Sequence, residues 1–392
     1  MGREEITVLL ATMFYIMNTG LLLIVLQVIF IGVVTDLEIA LLATIYWVPV
    51  LFLSPIWGYL GDSMGRYKLL VSTSLIILAI ITHLHRVYTS YGQILLLRIL
   101  AGVVSASYGP LIQAYITHGV SRRRYGRIIS IYNTGIALGF LASGYMVSIL
   151  LFLFDPWIVF DFASLTSIIS ATLVASLPRK MVERSHPKIV EALGSMLSIR
   201  AVFEIRRGRA YLLFIALSLR NIAIMGLFSV VYVYMQRRGV PTYMLGFLSS
   251  FNNLAQVLLI PIFGVMADKF GRKAVFVPGF LLSSIIPLIF LFSTSCMDFA
   301  LAFAFIGLAY SLLVSGSNPY LRDVAPKGHE SEVLALMSTS RAVGMIVGPV
   351  LVGTIILASS YTIMFVSLTL LGLMATIISS SVVENYENPT VE

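Results

Sequence analysis

"PIWGYLGDSMGR", Pro55–Arg66, returns as "PIFGVMADKFGR", Pro261–Arg272. The copies agree at Pro, Ile, an aromatic, Gly, Asp, Gly and Arg, each pair 206 positions apart. A phrase repeated after half the chain points to duplication of a whole bundle rather than to a short-period solenoid. Each copy closes one long apolar run and opens the next, so each sits where one helix ends and another begins.

The runs themselves identify the solvent. Of 392 residues, 58% are hydrophobic and only 11% charged, with a mean hydropathy of +0.96. A soluble domain carries about a quarter of its residues as charges. Apolar runs of about 20 residues match a hydrocarbon core about 30 Å thick, and they lack the period-2 alternation of a membrane barrel. The expected class is an all-α, polytopic membrane protein. The single cysteine, Cys296, excludes an internal disulfide and a Cys-based metal cluster, and neither a cofactor nor a metal is expected. The opening "MGREEITVLLATMF" continues as a spanning helix without a signal-peptide layout, and Ile6 occupies the position where a myristoylation site needs Ser or Thr. The net charge of +8 sits in short loops and specifies topology rather than nucleic-acid binding.

Punctuation between the runs predicts twelve spans, at 6–33, 39–61, 68–88, 93–117, 127–152, 157–177, 211–236, 243–267, 274–294, 299–321, 331–357 and 361–383. The N-terminal tail and the loops after helices two, four, six, eight and ten hold 20 of the 26 Lys and Arg residues. The opposite loops hold Arg86, Arg237 and Arg238 beside Asp36, Glu38, Asp155, Asp161 and Asp298. The positive-inside rule then places both termini in the cytoplasm. The longest polar interruption separates an N-terminal six-helix bundle (1–178) from a C-terminal one (210–392). Within that linker (179–209), Ser185 and Pro187 resemble a helix start. Ile189, Leu193, Met196 and Leu197 recur at helical spacing, as in a surface amphipathic helix.

A second register supports the duplication. Gly135, Gly139 and Gly144 in helix five map onto Gly344, Gly348 and Gly353 in helix eleven, and Pro110 onto Pro319, all 209 apart. Copies that keep the same side of the membrane are parallel repeats. At this point the chain resembles the major facilitator superfamily of secondary transporters. The sharpest element is that family's G-x-x-x-D-x-x-G-R-[KR] signature, read here as Gly58, Asp62, Gly65 and Arg66, and again as Gly264, Asp268, Gly271, Arg272 and Lys273. Arg98 with Gly102 looks like its helix-four R-x-x-x-G motif, and Arg322–Pro326 like its usual end of helix ten. The resemblance implies a monomer that carries a small-molecule substrate through the lipid bilayer by alternating access, with a proton or counter-substrate as coupling ion. It also implies that helices 1, 4, 7 and 10 line a central cavity with 2, 5, 8 and 11 beside them, and that the duplicated phrase latches the halves at the cytoplasmic gate. Physically, Gly58 and Gly264 would allow close helix approach, Gly65 and Gly271 a tight turn, and Arg66 and Arg272 contact with terminal carbonyls.

Arg98, Arg220 and Arg341 lie within spans, where each costs roughly 2.5–3.5 kcal/mol at a helix centre and is expected to face water or a partner. With Asn18, Tyr132, Asn133, Asn252 and Gln256 they form the expected substrate site; Arg341 and Tyr132 are repeat equivalents, 209 apart. No Asp or Glu lies deep in a span, and His83 and His85 are expected at the interface. Cationic walls without a buried acid favour an anionic or zwitterionic organic substrate. A drug or amphiphile exporter is the alternative, suggested by aromatics such as Tyr46 and Trp47. Neither a metalloprotease nor a nucleophile-elbow motif is present, so an enzyme is not expected.

Overall fold

Lipid offers no hydrogen bonds, so each spanning segment must pair its own backbone groups, and the long apolar runs can cross only as helices. The computed structural model describes residues 2–118, 122–178, 210–324 and 330–383. Among them are 12 helices long and apolar enough to cross a membrane. They are α1 (Arg3–Phe30), α2 (Asp36–Met64), α3 (Tyr67–Val87), α4 (Tyr91–Thr117), α5 (Arg122–Leu153) and α6 (Ile158–Ser176). The second set is α7 (Ala210–Arg237), α8 (Met244–Phe270), α9 (Arg272–Phe292), α10 (Cys296–Val324), α11 (Glu330–Ala358) and α12 (Tyr361–Ser380). Each matches one expected span to within a few residues. The expected amphipathic helix at 185–200 and the end of the Arg322–Pro326 motif lie outside the described residues.

The duplicated phrase ends α2 and α8 as expected. Gly65 takes φ +62° and Gly271 φ +98°, a region closed to most side chains, and the chain turns directly into α3 and α9. The start of α2 is equally local: Thr35 and Glu38 form a reciprocal capping box, which satisfies two amide groups that the helix leaves free.

Packing repeats with the sequence. Helix α1 lies on α5 as α7 lies on α11, α3 on α6 as α9 on α12, and α2 on α4 as α8 on α10. The halves meet along two equivalent seams, α2 against α11 and α8 against α5. The glycine triplets explain these neighbours. A Cβ at Gly135 or Gly139 would fall 2.8 Å from the Leu9 carbonyl oxygen or 2.7 Å from that of Met13 on α1. At Gly344 or Gly348 it would meet Asn221 or the Ile222 carbonyl oxygen of α7, at 2.7 and 2.5 Å. The third glycine of each triplet faces the other half: Gly144 meets the Gly246 carbonyl oxygen at 2.7 Å, and Gly353 meets the Leu37 Cα at 2.8 Å.

One span is not continuous. Helix α4 breaks at Ala106 and Ser107 into Tyr91–Ser105 and Tyr108–Thr117. Pro110 has no N–H to offer the Ala106 carbonyl four residues back. The carbonyls beside the break find side chains instead. The Trp57 indole donates to Val103 at 2.9 Å, the Tyr15 hydroxyl to Ser105 at 3.3 Å, and the Ser107 hydroxyl to Val104 at 2.8 Å. Its repeat partner Pro319 lies inside an uninterrupted α10, so the two copies have diverged here.

Close approach makes a graded prediction. A Cβ at Gly102 would lie 2.3 Å from the Tyr46 carbonyl oxygen, and at Gly307 2.2 Å from that of Asn252, whereas at Gly264 it meets nothing within 4 Å. Gly102→Ala and Gly307→Ala should each cost about 1–3 kcal/mol through overpacking. Gly264→Ala should be neutral or stabilising by up to about 1 kcal/mol. Thermal unfolding of the three variants in one detergent checks the order.

Candidate functional site

Four helices of one half, α7, α9, α10 and α11, and α5 of the other converge on a charged cluster. Arg220 on α7 is 2% exposed; its Nε donates to the Ser283 hydroxyl at 3.2 Å and its Nη1 to the Asn221 side-chain oxygen at 3.1 Å. Its guanidinium lies over the Tyr310 ring of α10, 5.7 Å from the centroid. The Tyr310 hydroxyl accepts a 2.9 Å bond from Nη2 of Arg341 on α11. Arg341 is exposed although it lies within a span, and it acts electrostatically on both Arg220 and Tyr132. Tyr132 belongs to α5, so the repeat equivalents Arg341 and Tyr132 lie within electrostatic reach of each other across the two halves.

Tyr132 leads into an aromatic wall in the first half. Its hydroxyl is hydrogen-bonded to Gln113, and it acts on Tyr15 and Tyr108. Those two rings stack with centroids 3.9 Å apart at 14°, and Tyr108 donates to the Thr12 hydroxyl at 3.1 Å. The site therefore pairs a cationic face in the second half with a tyrosine face in the first. Among the described residues Asp36 is the one buried carboxylate, and it lies at the far end of α2.

That end is where the halves close. Arg237 at the end of α7 binds Asp36 at the start of α2 through two bonds of 2.7 and 2.8 Å, and the Tyr361 hydroxyl adds a third at 3.0 Å. Gln27 of α1 reaches across to α7, donating to the Phe228 carbonyl at 2.8 Å and accepting from the Tyr232 amide at 3.2 Å. These two groups are the i and i+4 partners of one helical turn, so a single amide clasps both. Ser148 of α5 accepts from the Phe247 amide at 2.7 Å, meeting an N–H that the first turn of α8 leaves unpaired. Thr44 of α2 donates to the Ile346 carbonyl of α11 at 3.2 Å.

The duplicated motif stands at the opposite end, where Asp62 and Asp268 each bond a residue of their own half. Asp62 accepts a 2.5 Å bond from the Tyr67 hydroxyl, and Arg66 is exposed. In the second copy Arg272 bonds Asp268 and lies 3.6 Å from Asp323 at the end of α10. The close approach expected at Gly58 and Gly264 is not made here. A Cβ on Gly58 would meet only Pro110 of its own half, at 3.8 Å, and one on Gly264 nothing within 4 Å. Arg272 engages carboxylates, Asp268 sitting one helical turn away on the same face.

Of the other residues expected at the substrate site, several are engaged elsewhere. Asn18 is 3% exposed and donates to the Thr82 hydroxyl at 3.1 Å and the Ala163 carbonyl at 2.9 Å, on the supporting helices α3 and α6. Arg98 donates to the Leu42 carbonyl at 3.2 Å and lies over the Tyr46 ring at 4.2 Å. Asn252 and Gln256 bond each other at 2.9 Å, and Asn133 is exposed beside Tyr132. His83 pairs with Asp161 near the interface, but His85 is fully buried against Phe160 and the Ile81 carbonyl. It occupies the inward face of α3, two residues from the outward one. Tyr15, Tyr108, Tyr310 and Gln27 escaped the sequence reading. Their only signal was a polar atom inside an apolar run, which a tyrosine at a helix end shares.

Two repeated six-helix sets around a charged inter-half cluster define a multi-pass membrane transporter. The chain belongs to the Major Facilitator Superfamily, whose family model matches residues 8–251 and again 242–390. It is similar to an uncharacterized MFS-type transporter of Methanocaldococcus jannaschii, 23% identical over 81% of this chain and 82% of that one. The quinolone resistance protein NorA of Staphylococcus aureus is 25% identical over 40% of each chain. The fold matches the nucleoside transporter NupG with a TM-score of 0.77 at 12% identity, covering 96% of this chain and 98% of that one. It also matches the peptide transporter POT solved in complex with sulfate, at 0.75 and 13%, covering 96% and 93%.

The closure can be tested through its ion pair. Asp36→Asn should raise thiol labelling of Thr44→Cys, on a Cys296→Ser background, by about tenfold or more, since a charge-assisted bond contributes about 1.5–3 kcal/mol. Combining Asp36→Arg with Arg237→Asp should bring the rate back towards that of the unmodified pair.

Proposed function

We propose that this chain is a secondary transporter for a small organic anion or zwitterion, working by alternating access between its two halves. The observation that carries the reading is Arg341, an exposed charge within a span, within electrostatic reach of Tyr132 of the other half and with no buried carboxylate beside it among the described residues. A cation in such a place calls for a counter-charge, and a site between two repeats is where rocking halves can present it to either side. Substrate would contact Arg341, Arg220, Tyr310 and Tyr132. Arg98 and Asn18 hold helices together, Asn252 and Gln256 bond each other, and Asn133 is exposed beside Tyr132.

The Lys and Arg distribution supports placing the duplicated motif at the cytoplasmic face. On that orientation the arrangement is inward-facing: sealed outside by Asp36, Arg237 and Gln27, and parted inside. The halves, 1–178 and 210–392, would then move as units joined by 179–209. Asp62, Arg66, Asp268 and Arg272, with their glycines, would engage the opposite half only when the cytoplasmic end closes. The open surroundings of Gly58 and Gly264 support this, because they leave room for a helix that is not yet there. The drug-export alternative has less support, as the likeness to NorA covers 40% of the chain and the site carries cationic walls.

Uptake by proteoliposomes of a panel of radiolabelled organic anions, zwitterions and cations, with and without a pH gradient, tests the reading. Transport of an anion is expected, and Arg341→Gln should reduce it by about tenfold or more, the loss of one charge-assisted contact. Anion uptake that survives both Arg341→Gln and Arg220→Ala would sink it.

A further inference from the structure

Arg220 uses only part of its guanidinium. Nε and Nη1 have partners in Ser283 and Asn221, but Nη2 is buried with no hydrogen-bond partner. A buried donor left unmade costs about 1–3 kcal/mol and more on a charged group, so this atom calls for an acceptor. Among the described residues no charged acceptor adjoins it. Ser283, Asn221 and Tyr310 are neutral, and the one buried carboxylate among the described residues is held by Arg237 at the closed end. A second guanidinium, Arg341, bonds the hydroxyl of the same tyrosine and repels the first. An anion that reached both would relieve this repulsion and give Nη2 of Arg220 its missing acceptor.

Tyr310 shapes what that can be. Its ring covers Arg220 while its hydroxyl occupies Nη2 of Arg341. One tyrosine thus holds both guanidiniums, Arg220 against its ring and Arg341 at its hydroxyl. A tetrahedral group with three acceptor oxygens can meet both forks at once, which suits arginine's planar, bidentate geometry. We propose that Arg220 and Arg341 form a two-arginine clamp for a doubly charged oxyanion of the phosphate-monoester type. In it the Tyr310 hydroxyl is a placeholder that yields Arg341 to the ligand as the ring swings off Arg220. The organic part of the ligand extends past Tyr132 towards the stacked Tyr15 and Tyr108. The inference rests on the anion reading above and adds the charge and shape of the group.

Binding to the purified full-length protein at pH 8, followed by calorimetry, separates the two. Phenyl phosphate, benzoate and benzyl alcohol share one ring and carry charges of about −2, −1 and 0 at that pH. Phenyl phosphate should bind about tenfold or more tighter than benzoate, as a second charge-assisted bond requires. Arg341→Gln, checked for folding by its melting temperature, should reduce that preference to about twofold or less. Tyr310→Phe should tighten phenyl phosphate several-fold, because Arg341 no longer gives up a bond to bind it. Equal affinity for benzoate and phenyl phosphate overturns the clamp and leaves the anion reading standing. Benzyl alcohol binding as tightly as either anion, or no binding of either anion, overturns both. Weaker phenyl phosphate binding by Tyr310→Phe overturns the placeholder role.

Discussion

The halves can touch along α5–α8 and α2–α11 only because Gly144 and Gly353 carry no side chain there. In lipid the apolar surfaces of two helices gain little by leaving a solvent as oily as themselves, so close backbone approach and hydrogen bonds must hold them. Everything at the closed end follows from that approach. With α5 and α8 in contact, Ser148 reaches the first turn of α8. With α2 against α11, Asp36 comes within reach of Arg237 and Tyr361. The same glycine triplets set α5 on α1 and α11 on α7 inside each half, so one three-residue pattern serves both internal packing and the seam.

Charges in the protein divide along the same line. Asp36 and Arg237 satisfy each other where the halves meet, and the acids of the duplicated motif are satisfied within their own half. Among the described residues, Arg220 and Arg341 have tyrosine, serine and asparagine as neighbours and no acid. A pathway open at one end can leave a cation in that state, because water or a solute can reach it; a sealed core would not. Arg98, equally embedded, has a carbonyl and a tyrosine ring, and serves α2–α4 packing instead.

Much of the fold was legible as sequence. Span count, the two registers of repetition and the turns at Gly65 and Gly271 are local or periodic properties. The break in α4 was not expected of the span 93–117, and Pro319 shows why: the same residue at the equivalent place leaves α10 unbroken. The candidate site was less legible. Three arginines stood out because a charge in lipid is costly wherever it points. Asn18, Asn252 and Gln256 stood out for the same reason, yet an amide can satisfy itself against a neighbouring helix at little cost. Tyrosines such as Tyr15 and Tyr310 are apolar enough to pass as core.

The sequence by itself determined the solvent, the twelve crossings, the duplication and the family, because hydropathy, charge bias and a repeated glycine-and-arginine phrase need no partner to be read. Only the tertiary structure decided which end is closed, which embedded arginine is engaged and which has a donor left over, and what Gly58 and Gly264 meet. Those are properties of how two halves stand against each other. A chain built to hold them in more than one way cannot write a single arrangement into its local pattern.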